Sequence, residues 1–266
     1  QQIHRAFEAF LAGGPTAHTV ERSDALERDV NEWDGYIWID VGNLPDKHDD
    51  LKMRKDRSTD ALLDALDAWA TTPSTFKEDV QIELRSLAES YIEHYVDYVK
   101  RIVSGDPTAL LTANENSMMV ESLLRYHDKL TAPLRMQRIQ AFFQSEYFAN
   151  APEARIGSEL FAFLRHRLRQ GAYKNKDKNR KRLHGLINDV RFISAYAPYC
   201  DAMVVDNAMF QWASDPLIDL PRRFGVRLFS QRNWDEFLTY LGDVAANQRP
   251  EVDEALKMIR PAGART

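Results

Sequence analysis

Apolar residues recur at helical spacing along most of the chain. Phe76, Val80, Leu84, Leu87, Tyr91, Tyr95, Tyr98 and Ile102 are three or four positions apart throughout, the signature of one helix face. Glu and Lys occupy the other faces, and Gly105-Asp106-Pro107 stops the run. An earlier helix is expected from Ser58, a suitable N-cap, through Leu62, Leu63, Leu66 and Trp69 to Pro73. Further helices fit 117–129, 133–149 and 153–170. The last of these turns Ile156, Leu160, Phe161, Leu164 and Leu168 inward. Together they predict an antiparallel bundle over 58–170, and the chain contains no internal repeat or low-complexity tract.

Strand signals are few. Tyr36-Ile37-Trp38-Ile39-Asp40-Val41 is rich in β-branched and aromatic residues, and Gly42-Asn43-Leu44-Pro45 ends it. Ala202-Met203-Val204-Val205 is an unbroken apolar run, which predicts a strand buried on both faces. Val226-Arg227-Leu228-Phe229 is another, entered through Gly225. Between the basic stretch and the first of these, Leu183, Leu186, Ile187, Val190, Ile193 and Ala197 form the inward face of a helix broken at Pro198. After the second, Asn233-Trp234-Asp235-Glu236 is expected to be a capping box, with Phe237, Leu238 and Leu241 turned inward. The order from Arg182 is helix, strand, helix, strand, helix, which predicts right-handed crossovers and a parallel sheet. The expected fold class is therefore α/β but predominantly helical. It divides into an N-terminal segment (1–57) with strand 36–41, a helical bundle portion (58–170), an α/β portion (171–247) and a C-terminal tail (248–266).

Composition sharpens this picture. With 266 residues, 44% of them hydrophobic, the chain can bury a sizeable core. A net charge of −5 argues against a general nucleic-acid coat. That mean conceals segregation. Nine basic residues against Asp177 give +8 across 165–184, which leaves −13 for the rest. The single cysteine, Cys200, excludes an internal disulfide framework and fits a reduced, cytoplasmic protein; beside an apolar strand it reads as a structural thiol. No apolar run approaches the roughly 18–20 residues needed to span a bilayer, so no membrane partner is expected. Because the sequence opens on Gln1 rather than methionine, a natural start upstream is expected.

The common phosphate-loop, dinucleotide, zinc-protease and nucleophile-elbow signatures are absent, and the seven histidines show no ligand spacing. The most informative stretch is 184–207. Asp189 sits beside the inward stripe of its helix, and the following strand delivers Asp206 at its carboxyl end, where ligands gather in parallel sheets. Asp201 stands at the strand's start. Two converging carboxylates suit Mg²⁺ or Mn²⁺, hard cations that take oxygen ligands and activate water. A structural alternative stays open for each acid: Asp206-Asn207 can cap the helix that follows, and Asp189 can pair with Arg191. Arg169, Tyr173, Lys174, Lys176, Lys178, Arg180, Lys181 and Arg182 form either a solvated face or a basic loop that neutralises phosphates, with Tyr173 available to stack on a base. The tyrosines of 76–102 and Trp33, Trp38 and Trp69 read as packing anchors.

Asp189 on a helix, followed by Asp206 closing an apolar strand, resembles the C-terminal half of PIN-like nucleases. Gly225-Val226-Arg227-Leu228-Phe229-Ser230 and Asp235-Glu236-Phe237-Leu238 are similar to that family's last strand and helix. The resemblance covers about residues 182–243. It implies a metal-dependent nuclease that uses Mg²⁺ or Mn²⁺ on RNA, less often DNA, with Asp189 and Asp206 as metal-binding acids and Asp201 in or beside the site. Members open with a strand bearing an acid and carry a second acid on an early helix. Asp40 and Glu83 are the candidates here, unless both elements lie upstream of Gln1. The expected partner is nucleic acid, single-stranded RNA before DNA, with a protein partner or a second copy of the chain on the helical portion. A toxin or defence effector would suit the design by analogy. The alternatives are a non-catalytic protein- or nucleic-acid-binding scaffold and a small-nucleotide phosphohydrolase.

Overall fold

The computed structural model describes residues 2–17, 20, 45–110, 112–126, 129–172 and 183–247. The stripe that begins at Phe76 becomes one continuous helix, α3 (Phe76–Val103). Around it stand α1 (Gln2–Ala12), α2 (Pro45–Thr71), α4 (Glu115–Arg125), α5 (Ala132–Phe143), α6 (Glu146–Asn150) and α7 (Pro152–Arg169). The remainder runs α8 (Leu186–Tyr196), β1 (Ala202–Val204), α9 (Asn207–Ala213), α10 (Leu220–Phe224), β2 (Arg227–Phe229) and α11 (Trp234–Ala246). β1 and β2 pair in parallel, with Ala202 opposite Arg227, Met203 opposite Leu228 and Val204 opposite Phe229. The molecule is predominantly helical, with a small two-stranded parallel sheet among the described residues. No helix among those residues is long and apolar enough to cross a membrane.

Local chemistry explains the boundaries. The Thr75 hydroxyl accepts from the Glu78 N–H while the Glu78 carboxylate accepts from the Thr75 N–H, so α3 opens on a complete capping box. It ends ahead of Gly105, whose φ of +78° only glycine adopts without strain. Two boundaries differ from expectation. α2 begins at Pro45, well before Ser58, because proline suits the first helical turn and the charged stretch behind it carries no apolar period to read. The helix expected over 133–149 divides into α5 and α6 at Gln144-Ser145, where Ser145 is extended (φ −90°, ψ 163°). Phe142, Phe143 and Phe148 are all buried across the break, so the apolar pattern runs through it.

Among the described residues, two hydrophobic cores share α7. Leu62 and Leu66 of α2 pack with Ile156, Leu160, Leu164 and Leu168 of α7, the α8 stripe, Met203 and Leu228. On the other side Phe7, Val80, Tyr91, Phe142 and Phe148 pack together, and Ala154 and Ala162 of α7 join them. The inward faces expected for α7 and α8 are the ones observed; Phe161 and Ile187 are half-buried at their margins.

The C-terminal elements depart from expectation on one side of the sheet. Val204 is 48% exposed, so β1 is covered on one face only. The capping box belongs to Ser230 and Asn233, whose side-chain oxygen accepts from the Ser230 N–H at 2.7 Å; it opens a 3₁₀ turn ahead of α11. Phe237 packs on Phe229, but Leu238 and Leu241 are 51% and 45% exposed rather than turned inward.

Candidate active site at the carboxyl ends of the parallel strands

α8 starts directly after Gly185, which takes φ +102° and lets the chain turn sharply into the helix. Leu186, Val190 and Ile193 hold α8 against the core, and Asp189 occupies its first turn, where a carboxylate suits the helix dipole. From Asp189 the helix rises about 10 Å to Tyr196. The chain turns over 197–201 into β1, and Asp206 follows the carboxyl end of that strand. Both carboxylates are exposed.

Asp206 has a demonstrable structural task. Its backbone is extended (φ −68°, ψ 168°), and its Oδ1 accepts from the Met209 N–H at 2.7 Å, which caps α9. Asp201 lies at the opposite end of β1, exposed, with its main-chain carbonyl accepting from the Arg227 N–H at 2.8 Å.

Glu83 and Arg169 are engaged elsewhere, in the seam between α3 and α7. Asp79 and Glu83 are four residues apart on α3, and Arg165 and Arg169 are four apart on α7. Because the helices run antiparallel, the pairs meet as two rungs. Glu83 accepts from Arg165 Nε at 2.6 Å, and Arg169 pairs with the fully buried Asp79. Arg169 also donates to Ser74 Oγ at 3.1 Å, and the Arg165 guanidinium lies 4.2 Å from the centre of the Trp69 ring. A second buried acid, Glu159, accepts from Arg155 and Arg223 and ties α7 to α10. None of these pairs was anticipated. Matched i, i+4 spacing of acids on one helix and arginines on another was the available signal.

Asp40, Tyr173, Lys174, Lys176, Lys178, Arg180, Lys181 and Arg182 lie outside the described residues. Among the described ones, no three His, Cys, Asp or Glu side chains gather as a metal-holding group. Cys200 is a free, half-buried thiol packed against the core, as expected of a structural residue.

Burial pushes the Glu83 carboxyl above its ordinary value of 4.5, a rise that the neighbouring Arg165 opposes. Hydrogen bonds from the Thr108 hydroxyl and N–H, then from Arg101, pull Asp106 down to about 2 from 3.8. The two have opposite signs in stability. Glu83's contribution is complete below the unfolded carboxylate range and is lost as pH rises through its folded pKa. Asp106's is present above its ordinary value and is lost as pH falls toward 2. A carbon-13 carboxyl titration checks both: Glu83 is expected to titrate above 4.5 and Asp106 well below 3.8. The reverse order would contradict the geometry.

The fold and site together define a helical protein carrying a parallel strand–helix–strand unit, with Asp189 exposed on the helix before it and Asp206 exposed past the end of its first strand. No protein-family model, curated protein or solved structure matches the chain.

Proposed function

We propose that the protein is a metal-dependent nuclease in which Asp189 and Asp206 hold Mg²⁺ or Mn²⁺. The place of Asp206 just past the carboxyl end of β1 in a parallel pair, with Asp189 exposed on the preceding helix, carries this reading. The donors fit: they are carboxylates, both exposed, and Mg²⁺ binds through one or two such groups while keeping several waters. When bound, such an ion supplies an activated water and offsets charge building on the phosphoryl group. Asp189 and Asp206 would orient it, and the cap through Oδ1 fixes the Asp206 carboxylate against α9. The basic residues of 174–182 suit a polyanionic substrate, with single-stranded RNA first and DNA second, bound in a salt-dependent manner. The resemblance to PIN-like nucleases supplies the reaction class.

Asparagine caps a helix about as well as aspartate but is a poor ligand for a hard cation, so Asp206→Asn separates the two roles. The variant is expected to keep wild-type stability and to lose Mn²⁺-dependent cleavage of single-stranded RNA by about a hundredfold or more. Asp206→Ala should in addition lose about 1 kcal/mol from the missing cap. Wild-type cleavage by Asp206→Asn would leave this acid as a helix cap and nothing else. The competing reading, a non-catalytic scaffold, is favoured by one observation: Glu83 and Arg169 are spent on the α3–α7 seam. Salt-dependent RNA binding without cleavage under any divalent cation would select it.

A further inference from the structure

Glu159 is a single buried carboxylate shared by two guanidiniums. Its side chain is 6% exposed; Oε1 accepts from Arg155 Nε at 2.6 Å, and Oε2 accepts from Arg223 Nη1. Arg155 stands one turn earlier on α7, and Arg223 reaches the same acid from α10. Arg223 Nη1 also donates to the Ile218 carbonyl at 2.8 Å, and its guanidinium lies 5.3 Å from the centre of the Phe224 ring. Both cations are thus fixed by the protein itself while their side chains stay 36% and 30% exposed.

Among the described residues the two arginines line a cleft of about 590 Å³ with Glu159, Ile218, Asp219 and Arg222. The charges there do not cancel. Asp219 is engaged by Arg222: one carboxylate oxygen pairs with the guanidinium at 2.7 Å, and the other accepts from the Arg222 N–H at 3.4 Å. Of the two acids in this lining, Glu159 is left to offset Arg155 and Arg223, one negative charge against two. Each arginine gives Glu159 one N–H group, which leaves further donors on each planar fork.

We propose that this cleft binds a phosphate group through Arg155 and Arg223, with Glu159 as the positioning acid that holds the two forks side by side. The excess positive charge disfavours a cation and suits an oxyanion. Phosphate has oxygens enough to meet both forks, whereas the two oxygens of a carboxylate are used up by one bidentate pair. Because the donors are already oriented, little side-chain freedom remains to be lost on binding. The cleft uses neither Asp189 nor Asp206, so the inference stands whether or not the protein cleaves RNA.

Titration of the full chain with inorganic phosphate, at constant ionic strength and with divalent cations chelated, tests it. Saturable shifts are expected at the Arg155 and Arg223 Nε–H signals in NMR spectra. Arg155→Gln leaves Glu159 paired with Arg223, so the variant should fold while its phosphate affinity falls by about tenfold or more, the worth of one charge-assisted contact. Single-stranded RNA with and without a 5′-phosphate then separates the sources. Competition by both forms assigns a backbone phosphate, competition by the phosphorylated form alone a terminal one, and competition by neither a free phosphate or small phosphate ester. Phosphate that leaves both arginine signals unmoved overturns the proposal, as does an affinity unchanged in Arg155→Gln. Should that variant unfold, the arginine signals of the unaltered protein decide alone.

Discussion

Asp79→Ala is expected to destabilise the protein by about 3–5 kcal/mol, the cost of removing one partner from a buried ion pair. Asp79 is fully buried, and the Arg169 side chain is only 17% exposed, so the variant strands a guanidinium with Ser74 as its remaining polar neighbour. Urea unfolding with an unchanged slope would read the loss as a shift in midpoint. Replacing both partners with apolar residues, Asp79→Leu with Arg169→Met, should recover most of it, because the penalty lies in the uncompensated charge. A loss below about 1 kcal/mol in the single variant would mean that Arg169 finds water, and the pair would then rank with surface salt bridges. The second rung, Glu83 with Arg165, is 13% and 12% exposed and adjoins the first, so double-mutant cycles across the rungs should show coupling rather than additivity.

Phe142→Ala is expected to cost a similar amount, about 3–5 kcal/mol, through a different mechanism. Phe142 is fully buried at the centre of an aromatic cluster, with its ring centroid 5.0 Å from Phe7, 5.3 Å from Phe143 and 5.9 Å from Phe148. Truncation removes burial and edge-to-face contacts together and leaves a cavity that the surrounding helices fill only in part. Because Phe7 is the anchor of α1, the variant should also expose α1 to protease before the rest of the chain. Calorimetric unfolding within about 1 kcal/mol of wild type would show that the cluster repacks.

Much of the fold was legible because burial follows spacing. The stripes on α7 and α8 were read from the positions of Ile156, Leu160, Leu164, Val190 and Ile193 alone, since one buried side forces a 3.6-residue period. The parallel pairing followed from alternating helix and strand. Val204, Leu238 and Leu241 depart from expectation for a physical reason: an apolar side chain signals that it wants cover, but not whether a neighbour supplies it. The buried acids were hidden by the opposite habit. Asp79 lies beside Phe76 and Val80, and a charged residue at a stripe's margin ordinarily reads as solvated. At the candidate site, the sequence carried the cap at Asp206 and its place at a strand's end together. Whether that carboxylate has a second use depends on partners that local pattern does not specify.

The double allegiance of α7 has a consequence for how the molecule comes apart. Its Leu160 and Leu164 belong to the core beneath the sheet, while Ala154 and Ala162 belong to the aromatic core on its other side. Neither half can melt without stripping one side of a helix that the other half still requires. Heat or denaturant should therefore meet a single cooperative transition. A ligand seated at the strand ends should then slow amide exchange as far away as Phe142, through a shift in the global opening equilibrium rather than through any relay of contacts.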